Sequence, residues 1–280
     1  MNIKITADST CDLPISLLQR HHITLLPLYV NLGTRCLRDG VDVCPDDIYA
    51  HVDIGGTMCT TSACNITDYL ELFTELSKNH DAVIHINLGS DFSSSYQNAR
   101  LAASNFDNVY VVDSHNLCAG QGLMVLRCAE LIEQGLDALS IVEKLNRFAG
   151  KIDSSFILSQ LEYLKKGGRC SSIVALGANL LNLKPCIEVT DGKMAVGKKY
   201  RGAFEKAVEQ FIRDRLSDFD AIDTNYIVLA HSGLNNETIA LAEKIVRERI
   251  DCKELIITRA GCTVSSHCGP GTFGFFLVRK

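Results

Sequence analysis

The strongest constraint in this chain is a repeated alternation of short Ile- and Val-rich runs with longer segments whose apolar residues recur every three or four positions. The runs NIKITADS, AVIHINL, NVYVVDS, SSFILSQ, NYIVLAH and KELIITR are apolar on successive positions, as strands covered on both faces are. Between them, DYLELFTELSKN, SYQNARLAASNF, GLMVLRCAELIEQG, DALSIVEKLNRFAG, AFEKAVEQFIRDRL and ETIALAEKIVRERI each carry one apolar stripe at helical period. Parallel neighbours need a crossover, and a helix is the usual one. The pattern therefore predicts an α/β protein with mostly parallel sheets.

With 280 residues, 46% of them hydrophobic, the chain has enough apolar material for two domains. A helix-rich stretch ends near Lys151 and a new strand-helix series starts at Ser154, which divides the chain into residues 1–150 and 151–280. No Pro- or Ser-rich linker marks the division, so the halves are expected to pack closely with a ligand cleft between them.

Charge narrows the partners. Lys and Arg number 28 against 33 Asp and Glu, a mildly acidic balance that offers nothing to the nucleic-acid backbone. The opening MNIKITADSTCDLP lacks the run of about 7 to 15 apolar residues of an export signal, so the chain is expected to be soluble and cytoplasmic. The longest apolar stretch, Ile173–Leu183, is too short to cross a membrane. Twelve Cys without a C-x-x-C pair are then read as reduced core-filling side chains, and no metal site is expected.

Polar clusters follow the strands, where open α/β sheets bind ligands: Asp8-Ser9-Thr10, Ser90 to Ser95, and Asp113-Ser114. Ser93, Ser94 and Ser95 precede an amphipathic helix, whose unpaired N–H groups attract an anion, although helix capping alone would also explain a serine there. Thr60, Thr61 and Ser62 precede another helix that Asn65 or Thr67 can cap, which leaves the earlier hydroxyls for another task. Gly269, Gly271 and Gly274 make a formal G-x-G-x-x-G, but only six residues follow, so no dinucleotide unit fits. The run is better read as a Gly-Pro-Gly turn that presents His267 from a loop. No nucleophile elbow or Walker sequence occurs.

Taken in order, ADSTCDLP, LRDGVDVCPDDIY, TSACN, SDFSSSYQNA, VVDSHNLCAGQG, LEYLKKGGRCS and HCGPGTFG resemble the DegV family of bacterial fatty-acid-binding proteins from the first strand to the last. The resemblance implies two α/β domains with a long-chain fatty acid between them. It implies lipid-binding residues at Thr61, Ser62, Ser93, Ser94 and His267, with no cofactor beyond the fatty acid itself. It also implies a partner, a separate ATP-dependent fatty acid kinase that converts the presented acid to an acyl phosphate, with Arg169 and Arg201 as contacts to that kinase. The carrier itself would not be the catalyst, would not insert stably in a membrane and would not bind nucleic acid.

Three positions depart from the family pattern. Ala63 and Cys64 stand where the family has Gln-Pro, which should loosen that turn, and Ser94 stands for a Gly, which should narrow the head-group site. Two other readings compete with the carrier. One is a hydrolase in which Ser93, His267 and Asp8 or Asp113 form a catalytic triad. The other is a redox or metal sensor built on the Cys residues.

Overall fold

A computed structural model describes residues 1–174 and 183–280, so most of the apolar run Ile173–Leu183 lies outside the described residues. The first part contributes strands β1 (Ile3–Asp8), β2 (Thr24–Leu26), β3 (Tyr29–Leu32), β4 (Arg35–Arg38), β5 (Thr60–Ser62), β6 (Ala82–Asn87) and β7 (Val109–Asp113). With them come helices α1 (Ile15–Arg20), α2 (Pro45–Asp53), α3 (Ile66–Ser77), α4 (Ser95–Ala103), α5 (Ala119–Glu133) and α6 (Ala138–Ala149). After residue 150 follow β8 (Ile152–Ile157), β9 (Leu183–Thr190), β10 (Lys193–Arg201), β11 (Ile222–His231), β12 (Glu254–Arg259) and β13 (Phe273–Arg279). The helices of this part are α7 (Glu162–Gly167), α8 (Ser171–Val174), α9 (Phe204–Arg215), α10 (Asn236–Arg249) and α11 (Cys262–Cys268).

The expected α/β architecture is present. The first sheet has the order β2-β1-β6-β7 with every pairing parallel. Helix pairs α3–α4 and α5–α6 pack on it. This cover explains why AVIHIN in β6 is buried at all of its positions, as its unbroken apolar character requires.

The second sheet, β10-β9-β8-β13-β11-β12, corrects the expectation of mostly parallel pairing: only β11 and β12 run parallel. Two local causes are visible. Asp191 and Gly192 both have positive φ, 49° and 76°, which closes a tight hairpin and forces β9 and β10 antiparallel. FGFFLVR, hidden behind the Gly-Pro-Gly run, forms β13 and inserts between β8 and β11 antiparallel to both. A small third sheet, β4-β3-β5, is antiparallel throughout.

Helix α11 ties the ends of the chain together. It packs on α2, α7, β3 and β5. Its first N–H groups, which have no partner inside the helix, are taken by carboxyls from the first part of the chain. Asp39 accepts from the amides of Cys262 at 2.8 Å and Thr263 at 3.0 Å, and Asp12 accepts from Gly261 at 2.8 Å. The same Asp39 oxygen that holds Thr263 accepts the Ser9 hydroxyl at 3.1 Å.

The Cys residues behave mainly as core. Only Cys36 and Cys44 are exposed, Cys252 is half-buried, and all twelve are free thiols. Burial raises the thiols of Cys11, Cys128 and Cys268 to about 12, which removes the reactive thiolate at neutral pH. No group of three or more His, Cys, Asp or Glu side chains among the described residues is arranged to hold a metal ion. No helix among them is long and apolar enough to cross a membrane. A thiol reagent should label Cys36 and Cys44 fast, Cys252 slowly and the rest only on unfolding. Fast native labelling of Cys118 or Cys268 would show that this core is open.

Candidate functional site

Where α11 meets the first part of the chain, a cleft opens between Leu28, Leu88, Phe92, Leu117, Phe156, Leu164, Met194 and Val264. At Leu117, Phe156, Val264 and Cys268 it adjoins an inner apolar pocket that runs past Ala230 and Ala260 to Phe276. On its other side it shares Thr61, Arg169 and His267 with a broad outer cleft bordered by Lys166, Gly167 and the Gly56–Cys59 loop. The three shared side chains thus stand at the border between an oily interior and an open polar surface.

Thr61 and His267 meet there. Strand β5 presents Thr61 opposite Val30 of β3, and α11 brings in His267, so that Thr61 Oγ1 and His267 Nε2 lie 2.7 Å apart. The expected loop position of His267 is corrected: it sits in the last turn of α11, because Gly269, with φ 72°, ends the helix only afterwards. The imidazole is packed against Gly167, where a Cβ would lie 2.4 Å from His267 Nδ1, so any larger residue would displace the ring. Burial, helped by the nearby Arg169 charge, lowers His267 from 6.5 to about 4, and the ring is neutral at neutral pH. Its Nδ1 is buried with no partner among the described residues. A bare lone pair there costs less than an orphaned N–H, so the ring carries its proton on Nε2 and donates it to Thr61. The Thr61 hydroxyl is left with its own proton to offer to the cleft.

Ser93 lines the same cleft and is held from behind, since the Ser95 amide donates to Ser93 Oγ at 3.2 Å and the two hydroxyls are 2.9 Å apart. Ser62 also borders the cleft, its hydroxyl accepting from Asn31 Nδ2 at 3.0 Å. Arg169, read from sequence as a partner contact, is one of the lining residues as well; its guanidinium donates to the carbonyls of Gly167 at 2.8 Å and Phe92 at 3.5 Å. Ser94 is corrected: it is the exposed residue before α4 and does not line the cleft, because the chain there has turned into helical backbone and carries the side chain outward. It does not narrow the head-group site. Arg201 is exposed at the end of β10, away from the cleft. Thr10, from the strand-end cluster Asp8-Ser9-Thr10, lines the cleft as that position suggests, and so does Thr263, which no motif signals in the sequence.

The triad weighed from sequence is not assembled. His267 Nε2 is bonded to Thr61 and Ser93 to Ser95. Asp8 is instead bonded to Tyr69, Asn87, His85 and the Leu88 amide, and Asp113 to the amides of Ser90 and His115.

Comparison with known proteins identifies the family and the fold. A family model described as an uncharacterised protein of the DegV family matches residues 2–280. The chain belongs to the DegV family. A DegV domain-containing protein of Clostridium perfringens is 31% identical over 283 residues, covering 99% of each chain. Among solved structures, a DegV family protein from Thermus thermophilus described by its fatty acid binding superposes with a TM-score of 0.93 at 31% identity, over 100% of both chains. DegV of Bacillus subtilis, described as a fatty acid binding protein, gives a TM-score of 0.87 at 28% identity, again over 100% of both chains.

The buried imidazole has a measurable signature. Between pH 6.5 and about 4 the unfolded chain takes up a proton on His267 that the folded chain refuses, so this residue removes stability as the pH falls, by about 3 kcal/mol in all. Asp12 acts oppositely: burial, with Asp39 beside it, raises it to about 8, and its protonated form favours the folded chain below that pH. Comparison with a variant isolates His267. On going from pH 7 to pH 4, wild type should lose about 3 kcal/mol relative to His267→Gln in denaturant unfolding. Parallel pH curves for the two would mean the ring is solvated.

Proposed function

We propose that this DegV family member binds one long-chain fatty acid between two domains, taken as residues 1–150 and 151–280, and presents its carboxylate to a separate ATP-dependent kinase. The observation that carries this reading is the border position of Thr61, Arg169 and His267, with Ser93 lining the same apolar cleft, which continues inward to Phe276. An ionised carboxylate taken from water needs several donors to offset its desolvation, and the Thr61 and Ser93 hydroxyls with Arg169 supply them. The acyl chain supplies most of the affinity: about 15 buried methylenes at ~0.8 kcal/mol each give ~12 kcal/mol before ordering costs.

The outer cleft supports the presenting role. It meets the inner one at Thr61, Arg169 and His267, so a phosphoryl donor approaching from that side would reach the carboxylate without the acyl chain leaving its pocket. Hydroxyl donors, beside an Arg169 guanidinium already engaged with the Gly167 and Phe92 carbonyls, leave a carboxylate oxygen nucleophilic, whereas a closed bidentate ion pair would hold both. On this reading the chain is a carrier and the kinase is the catalyst, working in the cytoplasm where ATP is supplied, with Arg201 as a contact for the kinase.

Native mass spectrometry of protein purified from a bacterial host should find about one fatty acid per chain, released on denaturation. Ser93→Ala and Thr61→Val should each weaken binding of a long-chain fatty acid about tenfold while leaving the alcohol of equal length unchanged. With a fatty acid kinase and ATP, Arg201→Glu should slow acyl phosphate formation without altering fatty acid affinity. Arrival of the protein empty, together with no uptake of added fatty acid, would end the carrier reading.

A further inference from the structure

Apart from Thr61, Ser62, Ser93, Arg169 and His267, most of the cleft lining is apolar, yet two further hydroxyls interrupt it. Thr263, on α11, is 5% exposed, lines the cleft, and its Oγ1 has no hydrogen-bond partner among the described residues. Its amide is held by Asp39, so the residue cannot turn its backbone to find one. Thr10, fully buried beside the same cleft, donates its proton to Gln121 Oε1 at 2.8 Å. The Gln121 amide is itself oriented by donation from Nε2 to the Ile86 carbonyl at 3.0 Å, so the Thr10 proton stays committed and its oxygen is left as an acceptor. The two threonines line one cleft, and their chain segments meet at Asp39, where Ser9, the neighbour of Thr10, and the Thr263 amide share one oxygen.

A buried hydroxyl without a partner costs stability and calls for an explanation in the bound state. Together these two offer one acceptor, on Thr10, and one free donor, on Thr263, which is the complement of an alcohol. Thr263 and His267 are four residues apart on α11, one face of the helix and about 6 Å along its axis. An alcohol that satisfied both threonines would therefore sit a few bonds beyond a carboxyl carbon held at Thr61, the partner of His267.

We propose that Thr263 and Thr10 form a second polar contact that recognises a hydroxyl on an early carbon of the bound fatty acid. This specificity rests on the fatty acid reading above, and it defines the ligand class as 3-hydroxy acids or their near positional isomers. Thr263 is the decisive residue, since it alone has an uncommitted proton.

Affinities for hexadecanoic, 3-hydroxyhexadecanoic and 12-hydroxyhexadecanoic acid test it, measured on wild type, Thr263→Val and Thr263→Ser. Wild type should bind the 3-hydroxy acid more tightly than the 12-hydroxy acid. The affinity ratio of the 3-hydroxy to the unsubstituted acid should fall about fivefold in Thr263→Val, which keeps the shape and removes the hydroxyl, and be retained in Thr263→Ser. An unchanged ratio in Thr263→Val, with hexadecanoic acid still bound, would overturn the specificity and leave the carrier intact. Failure of wild type to bind any of the three acids would overturn the carrier reading itself.

Discussion

The cleft depends on a carboxylate that clasps a helix from the far end of the chain. Asp39 takes two N–H groups at the start of α11, more than 220 residues away in sequence, where the unpaired donors and the helix dipole both favour negative charge. Asp12 takes a third, and burial, with Asp39 beside it, raises its pKa to about 8, which favours its protonated form at neutral pH. With that end fixed, the helix can present only one face inward, and this is the face of Thr263, Val264, His267 and Cys268 that walls the cleft. Polar border and oily interior are thus both consequences of where a seven-residue helix is pinned.

What could be read from the sequence was what local chemistry encodes. The six periodic segments correspond to α3, α4, α5, α6, α9 and α10, and Asn65 caps α3 through its side chain as its position suggested. Ser93, Thr61 and His267 were singled out from different stretches, and the fold brings them to one cleft. What escaped was set by distant contacts. β13 reads as the tail of a glycine-rich turn until β8 and β11 pair with it. α11 is too short to show a period, and it is held by Asp39 rather than by a capping side chain of its own. The outward turn of Ser94 and the inward position of Thr263 depend on backbone direction at a helix start, which residue types alone do not give.

The departure at Cys64 shows how tertiary bonds replace a local constraint. A proline there would stiffen the turn after β5 by fixing φ, and its loss was expected to loosen it. In the fold, the Cys64 thiol is fully buried and donates to the Pro27 carbonyl at 3.3 Å, while Asn98 Nδ2 donates to the Cys64 carbonyl at 2.8 Å. Asn98 belongs to α4, the helix that follows Ser93, so the two hydroxyl-bearing segments are tied to each other directly. Rigidity at Thr61 then comes from packing against the Ser93 segment instead of from one ring.

The distribution of acid, base and hydroxyl groups separates binding from bond cleavage. Thr6 Oγ1 lies 2.8 Å from His85 Nδ1, and His85 Nε2 lies 3.3 Å from Asp8, the hydrogen-bond order of a hydrolytic triad. All three are completely buried within the first sheet and none lines the clefts described above, which keeps that hydroxyl away from solvent. Asp8 instead fixes the Leu88 amide at 2.8 Å, just ahead of the segment that carries Ser93. Ser93, which does face the cleft, has Ser95 as the partner of its hydroxyl among the described residues, and the imidazole that lines the cleft is committed to Thr61. A base held neutral, proton outward, and already donating cannot withdraw a proton from Ser93; it can only strengthen Thr61 as a donor. The polarity of that one hydrogen bond favours holding a carboxylate over attacking an ester.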